Sequence, residues 1–325
     1  MITSEKVPIY NLSLNSIIQN HEKCEIIISN IKNRQSNPWR FALIFENNDQ
    51  LLLNESKLSN YHTENNQNLL YNKSYSLHTS NLIIEYEDFP DEEEGKPQNL
   101  VNNFLQNFFS LLLGFLQRRR VLILPVKIQN STNHAIYLGN IISAEFTDSL
   151  SFGIPLINMQ NLFPILSNFC ISPNFEKIVN ETFMILLRYK EAINLPYSYE
   201  RIEIFWKILE TLGIENSLES NFITSYQRIK NLLGMTNNSK SLKKIIDVLV
   251  RYNIPFTDDE IINSFNYRNK LTHEYLSVEL LNDPNISSIF NFLNKSTELL
   301  ILHKLEFDSS IHISRYFGSS QHRVT

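Results

Sequence analysis

Residues 258–276 read DDEIINSFNYRNKLTHEYL, and the way they divide between apolar and polar positions decides the fold. Ile261, Ile262, Phe265 and Leu276 recur at helical spacing. Thr257 followed by Glu260 forms a capping-box signal ahead of them, and Asp258 and Asp259 favour the positive end of a helix dipole. Measured from Ile262 on a helical wheel, Phe265 lies at about −60°, Ile261 at about −100° and Leu276 at about −40°. That arc is the expected buried stripe. On the same wheel Asn269 falls at about −20°, His273 at about +20° and Arg268 at about −120°. Three polar residues therefore stand within or beside the face expected to meet another helix. A buried arginine is destabilising unless it is paired. Either Arg268 is bridged inside a bundle to a glutamate such as Glu203 or Glu210, or this face opens into a cleft where the three polar groups converge on an anion.

The same 3.6-residue period runs outward in both directions. It predicts helices over 175–193 (FEKIVNETFMILLRYKEAI), 198–213 (SYERIEIFWKILETLG), 222–235 (FITSYQRIKNLLGM), 241–253 (SLKKIIDVLVRYN) and 286–307 (ISSIFNFLNKSTELLILHKLEF). Gly213 and Gly234 stand where helices should stop, and Pro196, Pro255 and Pro284 fall in the connections. Upstream of about residue 174 the pattern shortens to strand-like runs at 24–31, 40–47, 81–89, 121–128 and 134–146, separated by Asn- and Ser-rich turns. One helix interrupts them, from about Leu100 to Arg119. The acidic stretch from Glu85 to Pro97 reads as a solvated loop before it, and 151–164 reads as a proline-bearing link. The expected class is α+β: a strand-rich domain over 1–165, then an all-α bundle over 166–325.

Composition limits the chemistry. A length of 325 residues, 42% of them hydrophobic and 19% charged, suits two soluble domains with cores of their own. The net charge of −5 gives no global field for nucleic acid, so an RNA-directed role must rest on a local site. Only 7 glycines argue against a glycine-rich phosphate cradle. Cys24 and Cys170 are far apart and in no ligand spacing, which fits two free thiols in a reducing compartment, with a single disulfide as the alternative. The N-terminus MITSEKVPIY lacks a signal peptide's basic start and apolar core, and NFLQNFFSLLLGFLQRRR at 103–120 is too short to span a bilayer. The expected setting is cytoplasmic, with no membrane attachment. No Asp, Glu or His cluster has metal-ligand spacing, and no cofactor motif is present. Arg118, Arg119 and Arg120 close the apolar helix, where cations suit the dipole. Lys240, Lys243 and Lys244, with Arg228 and Lys230, form either a basic rim or a solvated helix face.

The string YRNKLTHEY resembles the hallmark motif of the HEPN superfamily: an arginine, a polar residue after it, and a histidine four to six residues beyond. Here these are Arg268, Asn269 and His273. The upstream helix ERIEIFWKILETLG is similar to the family's early helix, with Glu210 matching its glutamate. Tyr275 completes the Arg-x4-His-x-Tyr form of HEPN toxins, in which a partner nucleotidyltransferase modifies the tyrosine; core packing is the alternative for this residue. The resemblance covers roughly 170–310, less than half of the chain.

What the resemblance implies is a metal-independent, dimeric endoribonuclease. An imidazole can take a proton from a ribose 2′-OH or return one to a leaving oxygen. A guanidinium can fork onto phosphate oxygens and stabilise in-line transition-state charge, with Asn269 orienting the histidine or a phosphate. The order of the domains is similar to ApeA-like antiphage proteins, in which an N-terminal sensor answers a phage-derived trigger. Two alternatives stay open: the toxin of a toxin–antitoxin pair, and a non-catalytic HEPN module that binds RNA, a nucleotide or a protein.

Overall fold

The computed structural model describes residues 2–10, 24–32, 38–47, 78–87, 108–118, 121–123, 162–195, 197–215, 220–273, 278–307, 312–313 and 322–323. Four long strands, β1 (Ile2–Tyr10), β2 (Cys24–Lys32), β3 (Pro38–Asn47) and β4 (His78–Glu87), and the short β5 (Leu122–Ile123) form one sheet in the order β2-β3-β4-β1-β5. Neighbours are antiparallel throughout, with Phe41 opposite Tyr86 and Ile2 opposite Glu87. β2 is rich in β-branched isoleucine, which suits a pleated strand. Pro38, which has no N–H to give to a ladder, stands at the first position of β3. Glu85 to Glu87, which fall both in the expected strand 81–89 and in the acidic stretch from Glu85, belong to β4, because the alternating run LIIEYE continues the pairing with β3 and β1.

Helix α1 (Ser110–Gln117) follows, with α2 (Leu162–Ile171), α3 (Phe175–Asn194), α4 (Ser198–Leu212), α5 (Ser220–Leu232), α6 (Lys240–Arg251), α7 (Asp258–His273), α8 (Val278–Leu281) and α9 (Ile286–Lys304); a two-strand ribbon, β6 (His312–Ile313) and β7 (His322–Arg323), comes last. Between 174 and 307 every element among the described residues is a helix, as the periodicity predicts. Helix α2 is the addition: it begins at Leu162, with Pro164 in its first turn, where the link was expected. Arg118 ends α1 as a buried cap residue in the left-handed region, its N–H bonded back to Gly114 and Phe115 carbonyls.

The chain gathers into two compact units, Met1–Phe183 with Ser310–Arg323, and Met184–Ser309 with Val324–Thr325. The first unit has an apolar centre to which Phe109, capping α1, and Leu112, Leu113 and Leu116 of α1 contribute, all fully buried. Phe108 stacks on Phe169 of α2 at 6.1 Å, and Phe169 meets Phe175 edge-on at 5.2 Å, so α2 and the start of α3 belong to this unit.

The second unit is a helical bundle whose most extensive packing joins α4 to α9. Ile202, Phe205, Trp206 and Leu209 recur every three or four residues along α4 and are fully buried, each contributing roughly 1.5–3 kcal/mol of apolar burial. The buried indole of Trp206 donates to Ser241 Oγ at 3.0 Å, which fixes α4 on the start of α6. Glu298 on α9 is buried beside the phenol of Tyr189, which donates to it at 2.7 Å, and the Asn294 amide, which donates at 3.3 Å.

The two helix-ending glycines act for different reasons. Gly234 has φ +63°, the left-handed turn that needs no Cβ. Gly213 is extended, at φ −81° and ψ 149°, and is required by proximity: a Cβ there would lie 2.1 Å from the Lys244 carbonyl oxygen of α6. Gly213→Ala is therefore expected to force α4 and α6 apart and lower stability by about 3 kcal/mol, read as a fall in the urea midpoint. Gly234→Ala has open space, and its penalty is limited to the left-handed backbone, about 1 kcal/mol.

His303, half-buried at the end of α9, lies tilted against Tyr252 with ring centres 6.0 Å apart. Burial lowers its pKa. The fold thus holds the neutral form, while the unfolded chain takes up a proton below its ordinary pKa of about 6.5. That contribution to stability is full above this range and falls as pH drops through it. The urea midpoint is expected to decline on acidification from neutrality, less steeply in His303→Gln. Equal slopes for the two proteins would assign the effect to other groups.

Candidate functional site

Helix α7 starts as its sequence requires. The Thr257 N–H donates to Glu260 Oε2 at 2.8 Å and the Glu260 N–H donates to Thr257 Oγ1 at 3.3 Å, a reciprocal capping box. Arg228 of α5 pairs with Asp258 at 2.8 Å, tying the start of α7 to its neighbour. The helix packs on α4, α5, α8 and α9. Its buried residues are Ile261, Ser264, Phe265 and Tyr267. Tyr267 is held by a hydrogen bond from its phenol to the Leu280 carbonyl at 3.2 Å. Burial, with Asp283 and Tyr199 adding, pushes that phenol up to about 12, so it stays a proton donor across the usable pH range.

This stripe corrects the wheel drawn from the sequence. The buried arc is centred at about −130° rather than between Ile261 and Leu276, because Tyr267 and Ser264 face inward while Ile262 is only half-buried. Asn269 and His273 consequently stand off the packing face. His273, the last residue of the helix, is exposed; Arg268 and Asn269 are half-buried. The Arg268 Nη1 donates to Asn269 Oδ1 at 3.3 Å, and Thr272 Oγ1 bonds back to the Arg268 carbonyl at 2.9 Å. About a turn and a half of α7 thus carries a guanidinium, an amide and an imidazole; Arg268 and Asn269 are in direct hydrogen-bond contact, while His273 stands about 140° around the helix from Arg268.

The alternative of an internal bridge from Arg268 to a glutamate is not what is found. Glu203 pairs with Lys207 on its own helix at 2.6 Å. Glu210 is half-buried on α4, and no hydrogen bond or ion pair joins it to Arg268, Asn269 or His273. Among the described residues Arg268 has no carboxylate within ion-pair distance. Tyr275 lies outside the described residues. Asn266 and Lys270 are exposed and share the outer side of α7 with His273, at i, i+4 and i, i+7. The sequence motif omits them; their spacing relative to His273 was the available signal.

Among the described residues, no three of His, Cys, Asp or Glu are grouped so as to hold a metal ion. Cys170 is buried, and burial pushes its thiol up to about 12, which makes it a poor nucleophile. No described helix is long and apolar enough to cross a membrane. Comparison with known protein families, with curated proteins and with solved structures finds no match to this chain.

Proposed function

We propose that the chain is a HEPN-type endoribonuclease that cuts RNA by attack of a ribose 2′-OH on the adjacent phosphate, without a metal ion. The observation that carries this reading is the segment Arg268–His273: an arginine without an ionic partner among the described residues, bonded to Asn269, with an exposed histidine four residues on. His273 serves as general base on the 2′-OH or as acid on the departing 5′ oxygen. Arg268 stabilises the charge that grows on the phosphoryl oxygens, and Asn269 orients the guanidinium. Glu210 and Tyr275 are supporting positions.

A single α7 helix supplies one histidine, and the 2′-OH reaction is served best by two proton-transfer groups. That requirement, together with the polar outer side of α7, supports a homodimer in which two α7 helices border one cleft. In the same reading residues 1–165 form a strand-rich sensor domain, and the enzyme is a cytoplasmic antiphage effector released by a phage-derived trigger. A toxin with a separate antitoxin, or a non-catalytic HEPN module binding RNA, a nucleotide or a protein, are the competing assignments.

The deciding assay incubates the purified chain with RNA in EDTA and maps the product ends. The expected result is EDTA-resistant cutting that leaves 2′,3′-cyclic phosphate and 5′-hydroxyl ends. Intact RNA with both the full chain and the fragment 170–325 would favour the binding module.

A further inference from the structure

Charge is distributed unevenly along this acidic chain. Residues 228–251 contain six cations (Arg228, Lys230, Lys240, Lys243, Lys244 and Arg251) and one carboxylate, Asp247, which is buried and consumed by Arg251. Three of the lysines occupy the first five residues of α6, and no acidic residue lies in its first turn. This is where a helix dipole disfavours positive charge, so stability alone does not account for their placement. Lys240, Lys243 and Lys244 stand at i, i+3 and i+4 and therefore share one side of the helix.

Two of these side chains, Lys230 and Lys243, are also held in place. Lys230 Nζ donates to Asn238 Oδ1 at 2.9 Å. Tyr226 OH donates to the same oxygen at 3.3 Å and accepts the Ser239 N–H at 3.2 Å. Lys243 Nζ lies 5.6 Å from the centre of the Tyr226 ring. Lys240 is 80% exposed, with Glu215 3.7 Å away. Among the described residues Lys230, Lys243 and Lys244 have no carboxylate partner. The turn joining the two helices contributes exposed Thr236, Asn237 and Asn238, and the one strongly exposed apolar side chain beside it is Leu232, the last residue of α5. Ordered lysines without acids, around polar groups and one aromatic ring, suit a polyphosphate backbone better than an apolar protein patch.

We infer that the α5–α6 hairpin, through Lys230, Lys243 and Lys244, is a docking surface for the backbone of single-stranded RNA outside the scissile step. This rests on the ribonucleolytic reading only for the choice of RNA. Arg228 fixes the hairpin beside the first residue of α7, and His273 is the last, roughly 22 Å away along a helix rising 1.5 Å per residue. The surface therefore grips a flanking segment, and its loss raises KM while leaving kcat in place.

The test measures binding of a fluorescein-labelled single-stranded RNA oligonucleotide to the full chain across a salt series. It compares wild type, the triple variant K230Q/K243Q/K244Q and the control K177Q/K207Q, in which exposed lysines elsewhere are neutralised. Neutral side chains in the first turn of α6 relieve the dipole, so the fold should persist; circular dichroism checks it. The expected result is affinity lower by about tenfold or more in the triple variant, with the slope of log K against log salt shallower by about 2 and the control unchanged. Equal affinity and slope in the triple variant, absent binding by the wild type at low salt, or equally effective competition by polyglutamate would overturn the assignment. RNA binding that depends on the patch without cutting by any form would sink the ribonuclease reading alone. Cutting with an unchanged KM in the triple variant would sink the docking surface alone.

Discussion

Replacing His273 by alanine is expected to lower RNA cleavage by about 100- to 10,000-fold, the range that a positioned proton-transfer group supplies, while leaving the fold intact. The two halves of this expectation come from the same geometry. His273 is exposed at the last position of α7, so its removal creates no cavity and strands no buried polar atom. What it loses is one exposed side chain at a helix end, about 0.5 kcal/mol or less, in the range typical of surface changes. Arg268→Ala should lose activity by about 100- to 1,000-fold through transition-state charge that is no longer met. Arg268→Lys should recover little, because an ammonium cannot fork onto two phosphoryl oxygens. The measurement is single-turnover cleavage beside the unfolding midpoint of each variant. Cleavage by His273→Ala at the wild-type rate would remove α7 as the site, and parallel loss of activity and midpoint would make His273 structural.

The contrast between what the sequence showed and what it concealed is sharpest on α7 itself. Its start was legible because Thr257 and Glu260 form a local pattern that needs nothing from the rest of the fold. The bundle was legible for a similar reason, since a 3.6-residue period repeated over several helices survives errors at any one of them. The rotation of α7 was not. Ile262 looks like a core residue by type, yet Tyr267 takes the buried place because its phenol finds the Leu280 carbonyl, a partner 13 residues on. A wheel weights isoleucine above tyrosine and has no access to that bond. Gly213 shows the same limit: its position at a helix end was clear, but its reason, contact with Lys244 of another helix, is purely tertiary. The start of α2 was hidden by Pro164, a residue compatible with a link and equally with a first helical turn. Arg268, Asn269 and His273 were recognisable as a set because they lie close together on one helix. Any residue that completes their site from another element leaves no such local trace.

The second large effect is expected at Asp247, and it explains why Gly213 admits no side chain. Asp247 is buried on α6, 1% exposed, and its Oδ2 accepts from both the Arg251 guanidinium and the Ile214 N–H, the latter at 2.8 Å. Arg251 in turn donates to the Leu212 carbonyl at 3.4 Å. The two backbone groups flanking Gly213 are thus both held by one ion pair of α6, which draws the end of α4 down until the glycine meets Lys244. Asp247→Ala removes the acceptor from a half-buried guanidinium and from a backbone N–H at once. Breaking such a pair from one side costs about 3–5 kcal/mol, since the surviving charge keeps its desolvation penalty. Arg251→Ala leaves the more deeply buried partner charged and should cost a similar amount. The double variant should fall well short of the sum, because neither charge is then left alone. Trp206, fully buried between α4 and α6, is the natural probe once Trp39 is changed to phenylalanine. Urea unfolding of the four proteins in that background gives the cycle. Strict additivity would show that Asp247 and Arg251 act separately, and the closure of α4 on α6 would then have to come from the packing of Trp206 and Leu209 alone.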